Sequence, residues 1–275
     1  MPNAAFALTV AGRTDVGRAR SRNEDDFQAS IAGEFAVVCD GMGGHAGGDI
    51  ASRKAVEVIS GILLDHAPSD PITVVKRDDA DRTQTDPAAT EPAVRHALSV
   101  ARSAVQQANR AIYEMNLARG FSSGRGMGTT VAGLWRIAGT AHMAVFHAGD
   151  SRVYRLRDGE LRTLTRDHSL YQMWLDNGGR GTAPQRNIIV RALGTAEDVE
   201  PEVNVQTLMP DDVVMLCSDG LNGMLPDGVI ARILRQESDP ALAAAALVDA
   251  ANAAGGMDNV TVVVGRFAAT VRPSR

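Results

Sequence analysis

Three things are scarce in this sequence: positive charge in excess, long apolar runs, and cysteine. Its 28 lysines and arginines are outnumbered by 33 aspartates and glutamates, a formal charge of −5. Phosphate backbones are held by surplus Lys and Arg, so no nucleic-acid partner is expected. The charge suits a soluble cytoplasmic protein. No run approaches the roughly 18 apolar residues that span a bilayer, and no N-terminal segment has signal-peptide form. Membrane insertion and secretion are therefore not expected. The two cysteines, Cys39 and Cys217, each lie inside an apolar run that reads as a buried strand. Alternation sets Cys39 on the face opposite Asp40 and Cys217 on the face of Asp219. Both thiols read as small buried hydrophobes that do not meet.

What remains is enough for one core. At 275 residues and 44% hydrophobic, the chain suits a single sheet-built domain over 1–275. Short β-branched runs such as "EFAVVCDG", "TTVAGLWRIA", "TAHMAVFHAGD", "DVVMLCSDG" and "NVTVVVGRF" read as strands. In "RVYRLRDGELRTL", Asp158-Gly159 sits between alternating segments, a two-residue hairpin signal that implies antiparallel pairing. From Glu91 to about Ala118, Val94, Ala97, Leu98, Ala101, Ala104, Val105, Ala108, Ile112 and Met115 form one helical stripe that covers a sheet face. An earlier helix begins near Gly48, and a third has Asp239 as N-cap, Pro240 at its first position and Gly255 as terminator. Strands grouped apart from helices predict an α+β layered fold, not alternating βαβ units. Residues 65–92, with four prolines and six aspartates, read as a mobile surface insertion, and 268–275 as a disordered tail.

The stretch "FAVVCDGMGGHAGGDIAS" runs from an apolar strand into Asp40 and a turn with five glycines. Asp219 and Asp150 also follow apolar strands, Asp258 stands just before one, and Glu24 and Asp25 form an acidic pair. Acids at strand ends on one edge of a sheet can converge though scattered in sequence. Packed carboxylates raise each other's pKa unless a cation neutralises them. A hard divalent ion with oxygen ligands, Mg²⁺ or Mn²⁺, answers that need, and two such ions about 4 Å apart can drive in-line displacement at phosphorus. The glycines let the backbone turn so that the Gly41 carbonyl can face a metal. The spacing Gly41, Gly43, Ala46 also fits a dinucleotide fingerprint, but Asp40 would sit beside the pyrophosphate and no ribose-binding acid follows. A Walker A loop is excluded by the missing Gly-Lys-Ser/Thr.

"TDVGRARSRNEDDF", "VVCDGMGGHAGG", "GMGTTVAGL", "HAGDSRVYRL", "LTRDHS", "RNIIVRALG", "LCSDGL" and "MDNVTVVV" occur in this order. From about Leu8 to Phe267 the chain thereby resembles metal-dependent Ser/Thr protein phosphatases of the PP2C (PPM) type, bacterial branch. The resemblance implies a central antiparallel β-sandwich of two sheets flanked by pairs of α-helices, with two Mn²⁺ or Mg²⁺ ions at one end and a weaker third. It makes Asp40 the bridging ligand and Gly41 a carbonyl ligand. Asp219 and Asp258 complete one metal's acids, Glu24 and Asp25 reach the other largely through water, and Asp150 joins Asp219 at the third. Arg20 takes the place of the phosphate-gripping arginine, a planar guanidinium that meets two phosphoryl oxygens at once; Arg18 and Arg22 face solvent. The implied reaction is hydrolysis of phosphoserine or phosphothreonine on proteins by a dinuclear-metal-activated water, in a monomer opposing a bacterial Ser/Thr kinase. The alternative is an inactive phosphoprotein-binding pseudophosphatase, against which all of Asp40, Asp219 and Asp258 are kept. Neither cysteine sits in a phosphate-cradling loop, so neither is a nucleophile.

Two departures stand out. Met42 occupies the position of a histidine in eukaryotic members, which leaves His45 as a candidate proton donor, with a helix-start packing role as its default. The flap after "LTRDHS" reads "WLDNGGRGTAPQRNIIVRALG", shorter and richer in glycine than in most bacterial relatives, and resembles phosphatases that accompany type VI secretion. Trp174 within it reads as an ordinary core contact, with a flap anchor as the alternative.

Overall fold

A computed structural model of the chain describes residues 5–31, 34–43, 47–67, 87–138 and 140–270. Two antiparallel sheets stack face to face. The first runs β1 (Ala5–Asp15), β11 (Val260–Thr270), β10 (Val213–Cys217), β7 (Arg152–Arg157) and β8 (Glu160–Thr163). The second runs β2 (Asp25–Ser30), β3 (Phe35–Met42), β5 (Val131–Ile137), β6 (His142–Ala148) and β9 (Glu202–Thr207), with β4 (Gly128–Thr129) paired to β3. Helices α1 (Gly48–Asp65) and α2 (Pro87–Ala118) cover the second sheet, and α5 (Asp227–Gln236) and α6 (Pro240–Ala253) the first. The short α3 (Leu170–Asp176) and α4 (Asp219–Asn222) lie in connections. The expected α+β sandwich of four layers is the fold observed.

Strand alternation assigns each side chain to a layer. Phe35, Val37 and Cys39 of β3 face α1 and α2, while Ala36 and Val38 point between the sheets. On β10, Val213, Met215 and Cys217 face α5 and α6, while Val214 and Leu216 point inward to meet them. The two thiols thus occupy different cores on opposite sides of the sandwich and do not meet, as expected, although Cys217 does not share a face with Asp219. The inner layer, with Leu134, Val145, Val263 and Phe267, holds the sheets together by burial of apolar surface.

Local chemistry explains most boundaries. Asp239 caps α6, its Oδ1 accepting from the amides of Ala241 (2.7 Å) and Leu242 (3.0 Å), and Pro240 opens the helix. Asp158 and Gly159 both take positive φ, 51° and 81°, in the β7–β8 hairpin, as a primed turn requires. Three expectations need correction. The stripe helix α2 begins at Pro87, so 87–92 belong to it and not to an insertion, and β11 continues through Thr270, paired with β1. Asp65 likewise closes α1; residues 68–86 of the insertion, and the tail beyond 270, lie outside the described residues. Asp219 does not continue the alternation of β10: the strand stops at Cys217 and Asp219 opens α4. Ser218 turns the chain there, its amide bonded to the Thr261 carbonyl (3.1 Å).

Candidate active site

The acids gather at one end of the gap between the sheets. Asp25 and Asp40 are direct cross-strand partners on β2 and β3, and the alternation that sends Ala36 and Val38 inward sends Asp40 inward too. Like charges opposite each other weaken a sheet, so this pair has a purpose other than stability. From the other sheet, Ser218 Oγ and Thr261 Oγ1 each donate to Asp25 Oδ2 at 2.7 Å, which ties the two sheets together at the site. Asp219, from α4, comes within hydrogen-bonding reach of Asp40. The main chain of Asp40 is held rigidly: its carbonyl accepts from Thr129 Oγ1 and the Thr130 amide, both at 2.9 Å. Thr130 in turn bonds Ser151 (2.6 Å), the neighbour of Asp150.

Glu24 and Gly41 sit where β3 meets α1. The Gly41 amide donates to the Glu24 carbonyl (3.1 Å), and a Cβ on Gly41 would fall 2.2 Å from the Gly48 carbonyl oxygen. Only glycine permits so close an approach. The Glu24 carboxyl lies against Gly48 at the start of α1 and near Asp49. Asp49 is an acid that sequence reasoning passed over; its spacing four residues beyond His45 carries no signal until α1 is placed.

Burial dominates the electrostatics. It pushes Asp40 well above the ordinary carboxylate range, and the charges of Asp25, Asp219, Asp150 and Asp258 add to the shift. Burial likewise raises Asp25 to about 7, against hydrogen bonds from Thr261 and Ser218 that lower it. Asp150 is raised by burial and then by Asp219, to about 7, and Asp219 by burial and then by Asp258. Glu24 rises for want of solvent and because of Asp49. Asp25 Oδ1 is buried with no hydrogen-bond partner, an acceptor left for something outside the protein. An all-carboxylate set with an orphaned buried oxygen fits a hard divalent cation.

Arg20 is half exposed and reaches in from the loop between β1 and β2, Nη2 lying 2.7 Å from Asp258 Oδ2. Arg18 and Arg22 flank it on the same loop and are exposed, as expected. Met42 is half-buried and brings no titratable group; His45 lies outside the described residues. The flap between His168 and Ala192 is organised around Trp174, whose Nε1 donates to the Arg180 carbonyl (2.8 Å) and whose ring meets Tyr171. Arg186 covers Tyr171 at 4.5 Å. No residue of α3 is buried, so Trp174 is a flap anchor and not a core contact.

Among the described residues, one trio of His, Cys, Asp or Glu has donor atoms within 4.8 Å of one another, and it is not drawn from the aspartates: His147, His168 and Glu202. Its hydrogen bonds argue against a cation. The Gly149 amide donates to His168 Nδ1 (3.2 Å), leaving the proton on Nε2 for Glu202 (3.1 Å), and His147 Nε2 donates to the Arg166 carbonyl (2.8 Å). Arg191 already supplies positive charge beside the carboxylate, its Nη1 3.9 Å from Glu202 Oε1. His168 also donates its amide to Gly149 (2.9 Å) and accepts from Val190 (2.9 Å). The cluster therefore clasps the turn before Asp150 to the flap.

Residues 17–250 match the family described as Protein phosphatase 2C. The chain belongs to that family. The PP2C relationship extends across nearly the whole chain. The "Serine/threonine phosphatase stp" of Listeria monocytogenes is 33% identical over 265 residues, covering 92% of this chain and 93% of that one. Among solved structures, the catalytic domain of the Ser/Thr protein phosphatase PstP, in complex with two manganese ions, superposes with a TM-score of 0.78 at 32% identity, covering 96% of this chain and all of that one. PppA, described as a key regulatory component of the type VI secretion system in Pseudomonas aeruginosa, gives 0.76 at 30% identity over 96% of this chain and 99% of that one. The two neighbours differ little in TM-score and identity, so overall shape does not favour one cellular setting. No described helix is long and apolar enough to cross a membrane.

Proposed function

We propose that this PP2C-type protein hydrolyses phosphoserine and phosphothreonine on protein substrates, using Asp40, Gly41, Asp219, Asp258, Glu24, Asp25 and Asp150 to hold two divalent cations, Mn²⁺ or Mg²⁺, and a weaker third. The observation that carries the proposal is the inward convergence of Asp25 and Asp40 from one sheet with Asp219 and Asp258 from the other. When bound, the ions would neutralise these carboxylates, polarise the phosphoryl oxygens and lower the pKa of water enough to make it a nucleophile at neutral pH.

The protein's own groups do the rest. Thr129, Thr130, Ser218 and Thr261 fix the orientation of Asp40 and Asp25 before anything binds, which is the preorganisation that charge stabilisation demands. Arg20, half exposed at the mouth, is free to swing from Asp258 onto two phosphoryl oxygens of the substrate. Its charge holds at any working pH, and attraction to Asp258, Glu24 and Asp219 raises its pKa further. The open, half-exposed mouth suits a phosphorylated side chain on a protein surface. We read the setting as cytoplasmic and the working unit as a monomer, opposed to a Ser/Thr kinase, in keeping with the net charge of −5.

The test is phosphate release from a phosphothreonine peptide with Mn²⁺. Asp40→Asn and Asp219→Asn are each expected to lower kcat/KM by about a thousandfold, since several kcal/mol of charge stabilisation is lost at tenfold per ~1.4 kcal/mol. Activity in EDTA, or full activity in both variants, sinks the reading. Binding of the peptide without release of phosphate would establish a pseudophosphatase instead.

A further inference from the structure

We propose that Asn259 is the positioning residue for Arg20: it holds the loop between β1 and β2 so that the guanidinium stands over the acidic end of the sandwich. This rests on the phosphatase reading. Asn259 is 6% exposed, and its amide makes three hydrogen bonds, all to this loop. Oδ1 accepts from the Glu24 amide (2.8 Å), and Nδ2 donates to the carbonyls of Val16 (2.9 Å) and Arg22 (2.8 Å). The partners fix which atom is oxygen and which nitrogen, because one is an N–H and two are carbonyls. Arg20 lies between these anchor points, in a segment with no strand or helix of its own.

The neighbours of Asn259 complete the cradle. Gly256 accepts from the amides of Arg18 (2.7 Å) and Ala19 (3.2 Å). Gly17 takes a φ of +82°, and a Cβ there would fall 2.2 Å from the Asp258 carbonyl oxygen, so the two segments lie in backbone contact. Asn259 also donates its own amide to Asp258 Oδ1 (2.8 Å), while Arg20 docks on Oδ2 (2.7 Å). One residue thus sets both the root of the arginine and the carboxylate on which its tip rests. A long, half-exposed side chain retains much rotamer freedom, and a fixed backbone is what allows it to meet phosphate without a further ordering cost. No other side chain of this length offers one acceptor and two donors, since aspartate lacks the donors and leucine lacks all three.

The experiment combines Asn259→Ala, Arg20→Ala and the double variant, with Asn259→Ser as a smaller change should the alanine protein fold poorly. Phosphothreonine-peptide kinetics are measured at saturating Mn²⁺, and inorganic phosphate binding by calorimetry. Asn259→Ala is expected to raise KM and weaken phosphate binding by about tenfold or more, as misplacement of a binding group by an ångström can do, with Mn²⁺ affinity changed less than about twofold. In the Arg20→Ala background the same substitution is expected to have no further effect on either quantity. A full, multiplicative effect in that background overturns the positioning role and leaves a general structural one. Unchanged KM and phosphate affinity in Arg20→Ala alone overturn the arginine assignment itself, and the proposal falls with it.

Discussion

Asp25 and Asp150 are both buried and both raised to about 7. A carboxyl whose folded-state pKa is raised keeps a proton that the unfolded chain has lost by about pH 4. Between about pH 4 and 7 the fold therefore holds more protons than the unfolded chain, and stability falls as pH rises through that window. Protein stripped with EDTA is expected to melt at a lower temperature at pH 7.5 than at pH 5.5, and Mn²⁺ to reverse the order. Because the ions must displace protons, calorimetric binding enthalpies should depend on the ionisation enthalpy of the buffer. A flat profile of melting temperature against pH in EDTA would show that these acids are not strained by burial. Asp40→Asn, harmful to activity, is expected to raise the melting temperature of the EDTA-treated protein at pH 7.5, because it removes the cost of burying an ionisable carboxyl among other acids.

At the level of elements, the caps and buried pairs make separate predictions. Asp239→Ala removes two hydrogen bonds at the start of α6 and should cost about 1 kcal/mol in urea unfolding. Arg157 grips Asp212 with two bonds of 2.7 and 2.6 Å, and Asp212 is fully buried. Arg157→Met strands that charge and should cost about 3–5 kcal/mol, a difference from Asp239→Ala that one set of denaturation curves resolves. The same elements mark what could be read beforehand. Hairpin, stripe and cap were legible because Asp158-Gly159, the Ala97 to Ile112 periodicity and Asp239-Pro240 are local signals. The register that sets Asp25 opposite Asp40 was not, since it depends on pairing between strands. Nor were Asn259, Ser218 and Thr261 visible as site residues: common polar types become informative only when the fold brings them to Val16, Glu24 and Asp25. Asp219 was misassigned in conformation, though not in location, because periodicity carries no mark of where a strand gives way to a helical turn.

For the whole molecule, the site is suspended from two walls. Asp25 and Asp40 hang from one sheet, Asp219 and Asp258 from the other, and the apolar layer of Val38, Leu134, Val214, Leu216 and Val263 separates them. Tightening a cation between these walls should brace the sandwich, visible as slower amide exchange in β3 and β10 on Mn²⁺ addition. The apolar layer then acts as a spacer, a gauge block for the gap the ions must fill. Leu216→Ala empties part of a fully buried position at a cost of about 2–5 kcal/mol, and should also shift the ratio of Mn²⁺ to Mg²⁺ affinity. A shifted ratio would place part of ion choice in the hydrophobic core, a short way along the strands from Asp40 and Asp219.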